Sequence, residues 1–223
     1  MPPADLEAEK RAAAQRALDL VMPGMVVGIG TGTTARFFIE GLAGRQVTVV
    51  PTSRVSAQLA HVAGLEVVEE PQGAIDLAVD GADEIDYQLR LVKGHGGALF
   101  REKMVATAAT RFVVIADETK LVPRLGSTFV PVEVAPFLWK LTADRLRRLG
   151  ATYELRGGEA GPYRTDNGNL IVDLTFPEGI SEPERTAAAL KAATGVLEHG
   201  LFLGLACAAI VATAGAIKVL GEL

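Results

Sequence analysis

Four short apolar runs constrain the fold of this chain most: MVVGIG (25–30), QVTVV (46–50), IDLAVD (75–80) and FVVIAD (112–117). Each is rich in β-branched residues, too short for an ordinary helix, and largely continuous rather than alternating, as in a strand buried on both faces. Between the runs lie TARFFIEGLAG, closed by Gly44, SRVSAQLAHVAG, closed by Gly64, and ALFREKMVATAAT, all with apolar residues at helical spacing. Residues 4–22 read as an opening helix that stops at a Pro-Gly pair, and LEVVE and LRLVKG read as further strands. Helices between parallel strands cover both faces of the sheet. The prediction is an α/β fold with a Rossmann-like, mostly parallel sheet flanked by helices.

Near Phe129 the texture changes. FVPVEV reads as a strand, PFLWKLTADRLRRLG as a helix, ATYELR as a strand, and YRTDNGNLIVDLTF as a hairpin about Asp166-Asn167-Gly168. EPERTAAALKAATG follows as a helix and VLEHGLF as one strand. This β-α-β-β-α-β order predicts a smaller α+β domain with an antiparallel sheet at 129–203, inserted before the C-terminal segment. Residues 1–128 and 204–223 then form the Rossmann-like domain, with AAIVATAGAIKVL returning strand material to the first sheet.

Composition narrows the class. At 49% hydrophobic over 223 residues the chain can bury a sizeable core. A net charge of −5 without a dense basic block argues against nucleic acid or an anionic membrane surface as the main partner. The N-terminal stretch is charged and helical with no apolar signal-peptide core, and the longest apolar stretch, 201–216, is interrupted by glycines. The single cysteine, Cys207, cannot form an intramolecular disulfide and reads as a small buried hydrophobe. A cytoplasmic protein is expected.

In an open parallel sheet, ligands bind beyond the carboxyl ends of the strands. The residues that follow the predicted strands are Thr31-Gly32-Thr33-Thr34, Thr52-Ser53, Asp80 and Asp83, Lys93-Gly94-His95-Gly96-Gly97, and Asp117 with Lys120. Five strands thus deliver polar groups to one edge. GIGTGTT fails the dinucleotide fingerprint because Thr33 stands where glycine is needed, and it lacks the P-loop lysine. What remains is a small-residue turn at a helix N-terminus, suited to a phosphate monoester or, alternatively, capped by Thr33 or Thr34.

DGADEID brings Asp80, Asp83, Glu84 and Asp86 together, as a solvated loop, an oxygen-rich metal site, or pocket carboxylates. Asp80 continues a buried strand, which argues against the loop, and nearby Lys93 argues against a metal. KGHGGALFREK sets backbone N–H groups before a helix with Glu102 one turn inside. Glu102 either complements the helix dipole or serves as a general base beside an anion-stabilising loop. The three histidines, His61, His95 and His199, lack metal-site spacing.

GIGTGTTA, PTS, DLAVDGADEID, KGHGGALFREK, VIADETK, PVEV and TDNGN occur in the order found in ribose-5-phosphate isomerase, type A, and the chain resembles that family over nearly its whole length. The resemblance implies metal-free, cofactor-free interconversion of ribose 5-phosphate and ribulose 5-phosphate in the pentose phosphate pathway by a homodimer or homotetramer. It implies that Glu102 is the proton-transferring base and that Asp80 and Asp83 handle the sugar hydroxyls and ring opening. It places Lys93 and Gly94 to Gly96, with His95 among them, in a loop facing the developing oxyanion. It assigns Thr31, Gly32, Thr33 and Thr34 to the substrate-binding turn, and Lys120 and Lys10 to the phosphate side. Gly81 and Ala82 join the substrate-binding set between the two aspartates. The family varies at the position of His95, and many members carry serine where Thr33 stands.

Isomerisation through an enediolate needs one mobile base, an oxyanion stabiliser and groups that shuttle hydroxyl protons, and these residues supply each. Two rivals are a sugar-phosphate sensor domain, which could dispense with Glu102 and Lys93, and an amino-sugar phosphate isomerase/deaminase, which calls for a better-supported histidine than His95. A sensor would normally carry a DNA-binding domain, yet one helix precedes the first strand.

Overall fold

The computed structural model describes residues 3–223, with side chains from Leu6 onward. The chain opens with helix α1 (Pro3–Leu18), strand β1 (Val26–Ile29), α2 (Thr33–Gly41), β2 (Thr48–Pro51), α3 (Arg54–Val62) and β3 (Glu66–Val67). Next come β4 (Leu77–Asp80), β5 (Glu84–Ile85), β6 (Leu91–Val92), α4 (Leu99–Ala108) and β7 (Phe112–Asp117). After a single 3-10 turn at Glu118–Lys120 follow β8 (Val130–Val134), α5 (Trp139–Arg147), β9 (Thr152–Leu155) and β10 (Leu170–Thr175). The chain ends with α6 (Pro183–Ala192), β11 (Val196–His199), β12 (Leu201–Phe202), β13 (Ala208–Thr213) and β14 (Ala216–Gly221).

Two compact units result. The first comprises residues up to Ala82, Arg101–Leu121 and Gly204–Leu223; the second comprises Asp83–Phe100 and Val122–Leu203. In the first, seven strands run in the order β14-β13-β7-β4-β1-β2-β3. All pairs are parallel except β13 with β14, so the returning C-terminal segment adds one parallel strand and an antiparallel edge. The apolar runs explain the central strands: β4 and β7 are buried at every position. Helices α1 and α2 supply Ala13, Ala17, Leu18, Phe38 and Ile39 to the same core, and Leu42 just past α2 joins them. Burying a side chain such as Phe38 contributes about 1.5–3 kcal/mol.

The second unit holds a four-stranded antiparallel sheet, β11-β8-β10-β9, with α5 and α6 in the predicted β-α-β-β-α-β order. It also holds a three-stranded sheet, β12-β6-β5, that the sequence did not foretell. LRLVKG therefore contributes β6 to this antiparallel sheet and not to the parallel one. VLEHGLF is not one strand: Gly200 separates β11, which pairs with β8, from β12, which pairs with β6. The turn at Asp166-Asn167 forms, with Gly168 N–H donating to Thr165 O, but its first arm is not a strand. Strand β10 pairs instead with β8 and β9. The turn is organised by Glu133, whose buried Oε1 accepts from Thr165 Oγ1, Asn167 Nδ2 and Asn169 Nδ2 at 2.9, 3.1 and 2.8 Å. That carboxylate links PVEV to TDNGN.

The unit bounds differ from the sequence division in two segments. Residues 83–100 join the second unit because β5 and β6 pair within its three-stranded sheet. Residues 122–128 join it because Val122 N–H donates to Ile85 O and Glu84 gathers the turn at 126–128.

Candidate active site

In the first unit, β1 lies between β2 and β4, with Ile29 beside Val79. The chain leaves β1 through α2 to reach β2 on one side, while β4 lies on the other, so the strand order reverses between β1 and β4. That reversal opens a crevice at the carboxyl ends of the strands. Asp80 ends β4 there, 3% exposed, and its Oδ1 accepts from Thr31 N–H at 3.1 Å and Gly81 N–H at 2.7 Å. Gly30 makes this approach feasible, since a Cβ at that position would overlap the Asp80 carboxylate.

The turn after β1 enters α2 at Gly32, whose φ of 119° lies where side chains are disfavoured. No side chain caps this helix N-terminus, so neither Thr33 nor Thr34 plays the capping role. Uncapped N–H groups and the positive end of the helix dipole suit an anion. Thr31 is held differently: its hydroxyl lies 2.9 Å from Thr52 Oγ1 and donates to Ser53 Oγ at 2.8 Å. Ser53 in turn caps α3 through a capping box with Ser56.

Glu102 lies in the first turn of α4, buried to 4% exposure. It and Asp80 line one tight gap, too small to hold a water molecule, together with Gly28, Gly30, Thr52 and Val105. At the end of β7, Asp117 accepts from Thr119 N–H and the Thr119 hydroxyl, and its Oδ2 lies 4.0 Å from Lys10 Nζ. Half-buried Lys120 closes the 3-10 turn that Asp117 caps. The first unit thus brings together Thr31 to Thr34, Asp80 and Glu102 around the crevice, with Lys10 and Lys120 at the β7 end.

The second unit carries Asp83 and the lysine loop. Asp83 Oδ2 accepts from His95 N–H at 3.0 Å, and Oδ1 lies 3.5 Å from His95 Nδ1. The His95 ring stacks on Phe129 at 3.9 Å, and its Nε2 donates to Phe129 O at 2.9 Å. The carbonyl can only accept, so Nε2 carries the hydrogen. Lys93 is 2% exposed, with its N–H on Gly200 O and its ammonium 5.4 Å from the centre of the Phe202 ring. Gly94 has a φ of 101°, and a Cβ there would meet Leu99 and Pro131.

The acidic cluster divides by role. Glu84 is 1% exposed and accepts from Gly126 N–H, Ser127 Oγ, Thr128 N–H and Thr128 Oγ1 at 2.5–2.8 Å. Asp86 caps its own turn through Gln88 N–H and Arg90 N–H and pairs with Arg90 Nε at 2.6 Å. These two carboxylates hold loops. Among the described residues no three His, Cys, Asp or Glu side chains are grouped to hold a metal ion. Among them, too, no helix is long and apolar enough to cross a membrane.

The family model for ribose 5-phosphate isomerase A (phosphoriboisomerase A) matches residues 48–215. The chain belongs to that family. A ribose-5-phosphate isomerase A from Gloeobacter violaceus is 47% identical over 97% of each chain, and one from Roseiflexus sp. is 49% identical over 91% of each. Among solved structures, a D-ribose-5-phosphate isomerase in complex with phospho-erythronic acid superposes with a TM-score of 0.93 at 39% identity, covering 97% of this chain and 99% of that one. Ribose 5 phosphate isomerase A from Neisseria gonorrhoeae gives 0.92 at 37% identity, covering 98% of each. As a ribose-5-phosphate isomerase A, the chain is an aldose–ketose isomerase.

Proposed function

We propose that this chain interconverts D-ribose 5-phosphate and D-ribulose 5-phosphate through an enediolate, with Glu102 carrying the proton between C2 and C1. The observation that supports this most is that Asp80 and Glu102 line one tight gap at the strand-order reversal. A base buried at 4% exposure is shielded from water, and its neighbour Asp80 is fixed by two backbone N–H groups rather than left to swing. Asp80 and Asp83 exchange protons with the sugar hydroxyls and assist ring opening, flanking Gly81 and Ala82, which line the substrate. Lys93 and the amides of Gly94 to Gly96 stabilise the oxyanion that develops at the carbonyl oxygen. The uncapped α2 N-terminus at Gly32 to Thr34, with Thr31, Lys10 and Lys120, binds the phosphate and holds the sugar still, so remote binding contributes to orientation. The chemistry calls for no cofactor or metal. We further propose a cytoplasmic homodimer or homotetramer in the non-oxidative branch of the pentose phosphate pathway.

Incubation with ribose 5-phosphate should yield ketopentose phosphate, and ribose lacking the phosphate should be a very poor substrate. Equal turnover of the two sugars would refute the phosphate anchor. Exhaustive chelation should leave the rate unchanged. A rate abolished by EDTA and restored by a divalent ion would overturn the metal-free mechanism.

A further inference from the structure

The lysine loop is held by a side chain that no motif marked. Arg156, just past β9, forms a two-pronged ion pair with Asp173 of β10: Nε donates to Oδ2 at 2.8 Å and Nη2 to Oδ1 at 2.5 Å. The fork fixes the plane of the guanidinium. Its remaining prong, Nη1, donates to His95 O at 3.0 Å and to Gly94 O at 3.3 Å. The guanidinium carbon also lies 5.5 Å from the centre of the Phe129 ring, on which His95 stacks, and 5.9 Å from that of Tyr163. Burial, then the charge of Asp166, raises the Tyr163 phenol above its usual range against the opposing charge of Arg156, with Glu133 adding to the rise. Tyr163 is therefore a neutral neighbour that leaves the Arg156 charge to Asp173 and the two carbonyls.

Peptide planarity turns these bonds into an aiming device. In a trans peptide the C=O and the following N–H point in opposite directions. The Gly94–His95 peptide is held at both ends, its carbonyl by Arg156 and its N–H by Asp83 Oδ2. In the His95–Gly96 peptide the carbonyl is held by Arg156, so the Gly96 N–H must leave the opposite face, at an exposed residue. We propose that Arg156, braced by Asp173, is a positioning residue that aims the Gly96 amide and sets the Lys93 loop for oxyanion stabilisation. This inference rests on the proposed role of the Lys93 loop.

The amide is needed in the transition state more than in the ground state, so loosening it should fall on kcat. A misplacement of about 1 Å remote from the reacting atoms can lower the rate roughly 10²-fold. Arg156→Ala is expected to lower kcat about 100-fold with KM changed less than about threefold, and to weaken phospho-erythronic acid more than inorganic phosphate. Arg156→Lys should not restore the rate, because an ammonium cannot hold Asp173 and two carbonyls in one plane. Added guanidinium ion should partly rescue Arg156→Ala. Asp173→Asn, which keeps the side-chain size, should show a smaller loss of the same kind and decides the matter if the alanine variant does not fold. Glu102→Gln serves as the reference for the site reading. If it is inactive while the folded Arg156 and Asp173 variants keep the wild-type kcat, the positioning role is refuted and the site stands. If Glu102→Gln is also fully active, the site reading itself fails. A folded Arg156 variant in which only KM rises, or in which lysine restores full activity, would equally overturn the proposal.

Discussion

Glu102→Gln is expected to lower kcat roughly 10²–10⁴-fold, the usual effect of removing a positioned general base, with a smaller change in KM. Glutamine keeps the size of the side chain and one acceptor oxygen but cannot take the C2 proton at neutral pH. Exchange of that proton with solvent should stop as well, which reports the abstraction step separately from turnover. The melting temperature should move little. A carboxylate in the first turn of α4 contributes at most about 1 kcal/mol through the helix dipole. A variant that turns over normally would remove Glu102 from the mechanism, and one that unfolds would assign it to the fold.

Glu84→Ala is expected to do the reverse. Two carboxylate oxygens at 1% exposure satisfy two backbone N–H groups and two hydroxyls from residues 126–128. Hydrogen bonds to a charged group contribute about 1.5–3 kcal/mol each, and stranding their buried donors adds a further cost. Because the four bonds share one anchor they do not add, and a loss of about 3–5 kcal/mol is expected. That corresponds to a fall in melting temperature of roughly 10 °C for a chain of this size. Thermal unfolding followed by circular dichroism measures it. A variant melting within about 2 °C of the parent would show that the turn at 126–128 does not depend on Glu84.

These two glutamates illustrate what was legible. Both belong to charged motifs at strand ends, and both are almost fully buried. Glu102 was read correctly as lying one turn inside a helix, because helical spacing and a glycine-rich start are local signals. Asp80 is marked by the buried strand it ends, but nothing local distinguishes Glu84 from Asp83, since the donors to Glu84 lie 42 to 44 residues along the chain. The three-stranded sheet was hidden for a related reason. Its strands span two residues each, too short to show any periodicity, and while β5 and β6 pair locally, β6 completes the sheet with β12 more than 100 residues along the chain. The hairpin at 163–176 was misread because a strong turn signal fixes the turn and not the pairing of its arms. The ladder of β10 was taken by β8 and β9.

By itself the sequence determined the parallel sheet and the polar groups at the ends of β1, β2, β4 and β7, because a strand buried on both faces writes its burial into consecutive residues. The strand before Lys93, expected at the same edge, went instead to the antiparallel sheet. The sequence also determined the small-residue turn after β1, whose glycines are demanded by backbone conformation and close approach. The tertiary structure decided which carboxylate faces which donor. It sent Asp80 to the crevice beside Glu102, Asp83 to His95, and Glu84 and Asp86 to loops. It alone produced the Arg156–Asp173 brace on the lysine loop, from residues 17 apart joined only when β9 pairs with β10. A hydrogen bond between distant residues leaves no period in the chain, so its existence is settled by packing.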